Sequence, residues 1–342
     1  MNKLNTATAT ATAIALCMGS AATAEGTLNL YVWSESIAPE LLTKFAEEHD
    51  VQVNVDGYTS NEDLLTKLQA GASGYDIAVP SHHFLRIMID EGLVQNFGAN
   101  ELEAYENIQE RWRNQWWDED QAYSIPLAYG TAGFAVNTAE YDGPTDSMKY
   151  FFEPEGALAG NIALLSYPDE VVGAAQLYLG VPFCSEDPEE MKRVLDLLMA
   201  QKEHVAAYSS DNIEGRLSSG EVATHFWWDG EVVRAIAEGA PLEYAMPKEG
   251  LVGWIDSMVI PVGAPNYDNA IKFIEFMSTP ENATIEMNHY AHSSPMTVID
   301  SDKKYTQESA PALYPTVPVE MSRTCSPAAQ DLVTRVWTQL LQ

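Results

Sequence analysis

The sequence predicts an α/β fold with two lobes, each a mostly parallel sheet flanked by helices, and a cleft between the lobes. Residues 27–80 alternate strand-like and helix-like patterns, which is typical of a parallel sheet covered by helices. Two extended stretches, 123–137 and 254–261, lie far apart in the chain and would form a hinge if both cross between lobes. The length of 342 residues and the 46% hydrophobic content suffice for one large or two medium domains.

The first two elements follow from the spacing of apolar side chains. Residues 27–32 form a short run typical of a strand. Residues 39–48 place Leu41, Leu42 and Phe45 on one face, which predicts a helix.

The next three elements complete a strand–helix–strand–helix–strand unit. Residues 51–55 alternate apolar and polar side chains, as a half-buried strand does. Residues 61–70 predict a helix whose N-cap is Ser60 or Asn61. Residues 75–80 predict a short buried strand.

The rest of the chain is divided by the two extended stretches. Helices are predicted at 268–277 and at 327–341. We predict a leader at 1–24, a first part of lobe 1 at 25–128, lobe 2 at 129–253, a return to lobe 1 at 254–295, and a C-terminal segment, 296–342, that packs mainly on lobe 2.

The N-terminus has the pattern of an export signal. Lys3 precedes a small, apolar and Thr-rich stretch, and Ala22-Thr23-Ala24 forms a small-x-small cleavage site. The apolar part is too short to span a bilayer. Cys17 follows Leu16, which makes a poor lipoprotein site. We therefore expect a soluble protein exported to the periplasm.

The net charge is −32, and the predicted leader contains one lysine and no acid, so cleavage makes the charge one unit more negative. Such a charge argues against nucleic acid and anionic membranes as partners. It fits the attraction of cations, and it fits equally well the acidic surface of a protein that lives in salty water.

Cys184 and Cys325 are the two cysteines beyond the leader. They could pair in an oxidising compartment, although their spacing does not show that they meet. Neither belongs to a C-x-x-C motif, which argues against a redox or zinc site.

Polar and aromatic residues follow the three predicted strands of the first unit. Ligands of parallel sheets bind beyond the carboxyl ends of the strands. This rule selects Trp33-Ser34-Glu35, Ser60 and Ser81-His82-His83 as candidates for one site.

In three places a tryptophan stands close to a carboxylate. An indole face attracts a cation, and a carboxylate adds a charge-assisted hydrogen bond, so the combination suits an organic ammonium ion. The alternative is that the tryptophans belong to the core and the acids to the surface. The pairs are Trp33 with Glu35, Trp228 with Asp229 and Glu231, and Trp254 with Asp256.

Together these segments resemble the polyamine-binding proteins of bacterial ABC importers, the spermidine/putrescine periplasmic receptor family. The similarity covers nearly all of the chain beyond the leader. The segments that carry it are 30–35, 60–62, 67–71, 75–81, 123–126, 168–170, 228–231, 247–250, 254–257 and 290–291. The resemblance implies a two-lobed type II binding-protein fold with its ligand in the inter-lobe cleft. It also implies a membrane permease and an ATPase as partners, with the chain itself a monomer without a cofactor.

The resemblance also implies the site residues, with Asp169 as a further candidate beside Glu170 and Asp229 as the alternative to Glu231. The family usually has an aromatic residue where this chain has Ser36, and His83 and His292 are further departures. The implied ligand-binding residues are Trp33, Glu35, Ser81, His83, Glu170, Trp228, Glu231, Trp254, Asp256 and Tyr290.

The expected function is the capture of a protonated polyamine, putrescine or spermidine, for import. One alternative is a receptor of the same fold for another cationic amine or an unrelated solute. Another is a sensor subunit that reports polyamines to a membrane receptor without transport.

Two other classes of function have little support. A metal site would need His82 and His83 to act with His289 and His292, yet adjacent residues at a strand end point apart. An enzyme is not expected, since the chain has no nucleophile elbow, dinucleotide-binding loop or P-loop.

Overall fold

The computed structural model describes residues 26–34, 36–71 and 74–342. The predicted leader, Cys17 and the candidate site residue Glu35 lie outside the described residues. No helix in the described part is both long enough and apolar enough to cross a membrane.

The α/β class expected from the sequence is confirmed. The strands are β1 Gly26–Trp33, β2 Val51–Tyr58, β3 Ile77–Ala78, β4 Ile125–Asn137, β5 Ile162–Leu164, β6 Val205–Tyr208, β7 Thr224–Trp228, β8 Leu242–Tyr244, β9 Leu251–Met258 and β10 Val319–Met321. The helices are α1 Pro39–His49, α2 Asn61–Gln69, α3 His82–Asp90, α4 Glu103–Glu106, α5 Lys149–Phe152, α6 Pro168–Leu179, α7 Pro188–Gln201, α8 Ile213–Ser218, α9 Asp229–Ala237, α10 Tyr267–Met277, α11 Pro280–Tyr290 and α12 Pro327–Leu341.

The smaller sheet has the strand order β2-β1-β3, and all its pairs are parallel. The predicted strand at 75–80 shortens to Ile77–Ala78. Besides the parallel pairing with β1, Ala78 forms an antiparallel bridge to Val259, and Ser81 forms one to Asp256. The N-cap of α2 is Ser60, whose hydroxyl accepts a hydrogen bond from the Asp63 amide.

The larger sheet has the order β10-β9-β4-β7-β5-β6, and β8 also pairs with β4. This sheet is mixed, whereas the sequence predicted mostly parallel sheets. Its long strand β4 is antiparallel to β7, β8 and β9, while the outer pairs β5–β6, β5–β7 and β9–β10 are parallel.

Three clusters of buried apolar side chains form the cores. Two of them draw their residues from 28–129 and 255–296, and the third draws from 132–252 and 291–340. In the third cluster, Phe134, Phe151 and Phe226 are fully buried, and each such side chain contributes about 1.5–3 kcal/mol relative to exposure. We interpret the clusters as the cores of two lobes.

Strands β4 and β9 pass from one core to the other as an antiparallel ribbon. Ile125 opposite Met258 belongs to the first lobe, and Ala132 opposite Val252 belongs to the second. The register shifts at Pro126–Ala128, within the ribbon. The ribbon therefore connects the two lobes.

The segment between β10 and α12 contacts both lobes. Cys325 and Cys184, whose pairing the sequence left open, form a disulfide with their Cα atoms 5.0 Å apart. Cys184 lies in the loop between α6 and α7. The same segment also contacts α3 of the first lobe. The Ser322 carbonyl lies 2.8 Å from Nε2 of His82, and the Thr324 hydroxyl donates to the His83 carbonyl at 2.6 Å.

Candidate ligand-binding site

A cavity of about 400 Å³ lies between the two lobes. The carboxyl ends of β1, β2 and β3 open onto it from the first lobe, and the start of α6 and the end of β7 face it from the second. This is the location at which α/β sheets bind their ligands.

The cavity lining contains nine of the ten ligand-binding residues that the resemblance implied, whereas Ser60 and His82, which the strand-end rule also selected, are not part of it. Glu35 lies outside the described residues, and its neighbours Ser34 and Ser36 line the cavity. The selected residues in the lining are Trp33, Ser81, His83, Glu170, Trp228, Glu231, Trp254, Asp256 and Tyr290.

Three indoles form the aromatic walls. Trp33 tilts against Tyr58 with ring centroids 4.8 Å apart, and Trp228 lies beside Tyr167 at 5.8 Å. Trp254 stands edge-on to His292 at 5.2 Å. Among the described residues, no atom accepts a hydrogen bond from Nε1 of Trp33 or Trp254.

The position of Trp254 depends on Gly130, which lies directly opposite it in the β4–β9 ribbon. A Cβ atom at Gly130 would lie 2.3 Å from Cζ2 of Trp254 and 2.8 Å from Oδ1 of Asp229. Only glycine leaves room for the indole to lie against the ribbon.

Asp256 enters the cavity from β9. Its Oδ1 accepts a hydrogen bond from the Ser81 hydroxyl at 2.7 Å, and Asn61 in turn donates to that hydroxyl at 3.1 Å. Burial raises the pKa of Asp256 to about 7, and the hydrogen bond from Ser81 opposes the rise. A bound cation would favour the charged form of this carboxyl group.

Glu170 lies in the first turn of α6, which begins at Pro168. Its Oε1 accepts a hydrogen bond from Nε1 of Trp228 at 2.8 Å, while Oε2 has no partner among the described residues. Burial raises the pKa of Glu170 to about 7, opposed by Trp228, and repulsion by Asp169 and Asp256 adds to the rise. The unpartnered oxygen is available to a donor in the cavity.

The two acids that follow Trp228 have different surroundings. Asp229 is buried behind the cavity, where Oδ2 accepts hydrogen bonds from the amide and the hydroxyl of Thr131, each at 2.9 Å. Glu231 is the one in the cavity lining, and it forms an ion pair with Arg234 one helical turn later.

The remaining selected residues close the ends of the cavity. Nε2 of His83 lies 3.7 Å from Oδ2 of Asp169 in the opposite lobe. Burial lowers the pKa of His83 to about 4, so the imidazole is neutral at pH 7 and does not repel a cation. The Tyr290 hydroxyl donates to the Ile37 carbonyl at 3.5 Å.

The charge of the lining has one sign. None of the lining residues in the described part of the chain is a lysine or an arginine. The carboxylates in the lining are Glu62, Asp169, Glu170, Asp211, Glu231 and Asp256. An anionic cavity with aromatic walls is suited to an organic cation.

The sequence analysis did not select several residues that shape the cavity. Tyr58 ends β2 and could have been found by the same strand-end rule that selected Ser60. Arg234 lies three residues after Glu231 on a helix, a spacing that places the two side chains together. Tyr167 and Gly130 gave no signal, because their roles depend on contacts across the cleft and across the ribbon.

The arrangement needed for a metal site is not assembled in the described residues, where no group of three or more His, Cys, Asp or Glu side chains could hold an ion. His82 is buried, lies against the Ser322 carbonyl and packs on Trp117 with ring centroids 4.8 Å apart.

Two α/β lobes, a ribbon that connects them and a cavity between them are the features of a solute-binding protein. Residues 40–312 match the sequence model of the bacterial extracellular solute-binding protein family. The chain belongs to this family.

Named relatives show the same class of protein. The chain is 32% identical over 308 residues to spermidine/putrescine-binding periplasmic protein 1 of Haemophilus influenzae, with 88% of this chain and 84% of that protein aligned. It is 33% identical over 268 residues to the spermidine/putrescine-binding periplasmic protein of Escherichia coli, with 77% of this chain and 76% of that protein aligned.

A solved structure agrees over nearly the whole chain. The spermidine/putrescine ABC transporter substrate-binding protein PotD from Streptococcus pneumoniae superposes with a TM-score of 0.79 at 29% identity. The superposition covers 92% of this chain and 98% of that chain.

Proposed function

We propose that this protein binds a protonated polyamine, putrescine or spermidine, in the periplasm and delivers it to the permease and ATPase of an ABC importer, acting as a monomer and not as an enzyme. The observation that carries the proposal is the cavity lining, which combines three indoles and six carboxylates with no lysine or arginine among the described residues. The names of the relatives support the same ligand class.

The cavity has separate features for the two parts of a polyamine. The indoles of Trp33, Trp228 and Trp254 would cover the alkyl chain, and each buried methylene contributes about 0.8 kcal/mol. Asp256 and Glu170 would each accept a hydrogen bond from an ammonium group. Removing one partner of a buried ion pair costs about 3–5 kcal/mol, so a buried ammonium group needs such a carboxylate.

Closure of the lobes would enclose the ligand. The Tyr167 hydroxyl donates to the Thr59 carbonyl across the cleft, and His83 faces Asp169 from the opposite lobe. These contacts require the lobes to be close together. A ligand that binds the closed form better than the open form shifts the lobes toward closure, and the permease would recognise the closed form.

The test is calorimetric titration of ligand-stripped protein with putrescine, spermidine and arginine. We expect one-to-one binding of a di- or triamine, weakened about 30-fold or more in Asp256→Asn, because truncating a buried charge pair costs about 2–5 kcal/mol. Asp142→Asn, which removes the same charge from an exposed site outside the lining, serves as the matched control.

The absence of heat with every amine would refute polyamine binding and favour another solute for the same fold. Binding with normal affinity by Asp256→Asn would refute the assigned site. Polyamine uptake by cells that carry only the Asp256→Asn protein separates import from sensing: a transport receptor loses uptake, whereas loss of a sensor leaves uptake intact.

A further inference from the structure

The carboxylate of Glu231 differs from those of Asp256 and Glu170, because it already has a cationic partner within the protein. We propose that Arg234 occupies Glu231 and thereby adapts the cavity to two ammonium groups instead of three, so that a diamine is preferred over a triamine. This inference rests on polyamine binding, the function proposed above.

Arg234 is held in place by two contacts. Its guanidinium forms an ion pair with Glu231 on the same helix, α9. It also lies over the ring of Tyr290, with Cζ 5.5 Å from the ring centroid. Both Glu231 and Tyr290 line the cavity, so the positive charge stands directly behind one end of the lining.

The carboxylates of Asp256 and Glu170 have no such partner. The described residues place no lysine or arginine in a salt bridge with either of them, and their hydrogen bonds come from Ser81 and Trp228. Each is a deep acid that lacks a counter-ion until a cation enters the cavity. Two ammonium groups satisfy these two acids.

A third ammonium group would meet a different environment near Glu231. It would have to share the carboxylate with Arg234 or displace the guanidinium from both Glu231 and the Tyr290 ring. Like charges in contact repel, so the guanidinium disfavours a second cation at this carboxylate.

Among the other described carboxylates of the lining, Asp169 already faces His83 and accepts a hydrogen bond from Gln330. Glu62 and Asp211 are at the exposed edge of the cavity, where solvent screens their attraction.

The experiment compares putrescine and spermidine by calorimetry in the wild type, Arg234→Gln and the double variant Glu231→Gln/Arg234→Gln. We expect the wild type to bind putrescine more tightly. Arg234→Gln should raise the spermidine-to-putrescine affinity ratio about tenfold, the factor for one added charge-assisted hydrogen bond. Arg234→Gln frees the carboxylate of Glu231, and the double variant lacks that carboxylate. The affinity ratio of the double variant should therefore return toward that of the wild type.

Arg335→Gln is the matched control. It removes the same charge and also breaks an arginine–aspartate pair on a helix, but it lies on α12 at an exposed site outside the lining. We expect the spermidine-to-putrescine affinity ratio of Arg335→Gln to equal that of the wild type. Each ratio is measured within one variant, so a change in folding stability cancels.

An unchanged ratio in Arg234→Gln, or a wild type that prefers spermidine, overturns the inference and leaves polyamine binding intact. A ratio that rises equally in Arg335→Gln also overturns it, since total charge would then be the cause. A wild type that binds neither amine refutes the proposed function itself.

Discussion

At the scale of single residues, the site depends on side chains whose partners come from distant parts of the chain. Ser81 donates to Asp256, and Trp228 donates to Glu170, although each pair is far apart in sequence. These bonds orient two acids that burial would otherwise leave poorly satisfied. Removal of one partner therefore affects both the charge and the orientation of an acid.

The first residue-scale prediction concerns Gly130→Ala. The new Cβ would collide with Trp254, so the indole must move, and we expect the polyamine affinity to fall about tenfold, as loss of a desolvated cation–π contact predicts. Calorimetry measures the change. In a Trp254→Phe background the smaller ring relieves the collision with the indole but not the one with Oδ1 of Asp229. A smaller loss there would assign the effect to the indole, and an equally large loss would assign it to Asp229 instead.

The second residue-scale prediction concerns the pH dependence of polyamine affinity. Burial raises the pKa values of Asp256 and Glu170 to about 7 in the structure without ligand, and a bound cation lowers both. Below pH 7 a ligand must therefore displace protons, so affinity should rise with pH. We expect at least a tenfold weaker affinity at pH 5.5 than at pH 8, since each pH unit below a pKa costs about 1.4 kcal/mol.

Titration in two buffers of different ionisation enthalpy measures the protons released on binding. The same affinity at pH 5.5 and pH 8, with no proton release, would contradict the prediction. Asp256→Asn provides the control, because it should release fewer protons than the wild type.

At the scale of elements, the disulfide joins the loop after α6 to the segment before α12. The two cysteines are separated by 141 residues, and closing so long a loop restricts the unfolded chain. We expect Cys184→Ser/Cys325→Ser to lose about 2–4 kcal/mol in its free energy of unfolding.

Urea denaturation with and without a thiol reductant tests this stabilisation. Reductant should destabilise the wild type and leave the double serine variant unchanged. Equal midpoints for the wild type and the variant under oxidising conditions would mean that the bond adds no stability.

The sequence predicted individual elements better than their assembly. The periodicity at 39–48 and 327–341 located α1 and α12, because amphipathic helices carry their own pattern. The mixed pairing of the larger sheet was missed, because β4 is long and buried, and a buried run does not reveal the direction of its neighbours.

The candidate site shows the same limit. Strand-end residues such as Trp33 and Ser81 could be selected locally, since the rule needs only the end of a strand. Arg234 could have been selected from its helical spacing to Glu231, but its contact with Tyr290 could not. A contact between segments that are distant in sequence leaves no recognisable pattern in a single amino-acid sequence.

At the scale of the whole molecule, the lobes meet at the hydrogen bond from Tyr167 to the Thr59 carbonyl. Tyr167→Phe removes this bond, so we expect the ligand-free protein to become more open, with a larger radius of gyration in small-angle scattering. Polyamine should still close it, with affinity reduced about threefold to tenfold, as loss of one hydrogen bond worth about 0.5–1.5 kcal/mol predicts.

Tyr178→Phe is the matched control, because the Tyr178 hydroxyl bonds Glu153 within one lobe. An unchanged radius of gyration in Tyr167→Phe would show that this bond does not hold the lobes together.

The passage of the chain from one lobe to the other along β4 and back along β9 has a consequence for inheritance. Trp33 lies before the first passage, Glu170 and Trp228 after it, Asp256 in the returning strand, and Tyr290 later still. No short stretch of the gene encodes the cavity, so recombination of a short segment cannot transfer it as a block. Single substitutions at positions such as Arg234, which leave the sheets intact, remain a route to a new ligand preference.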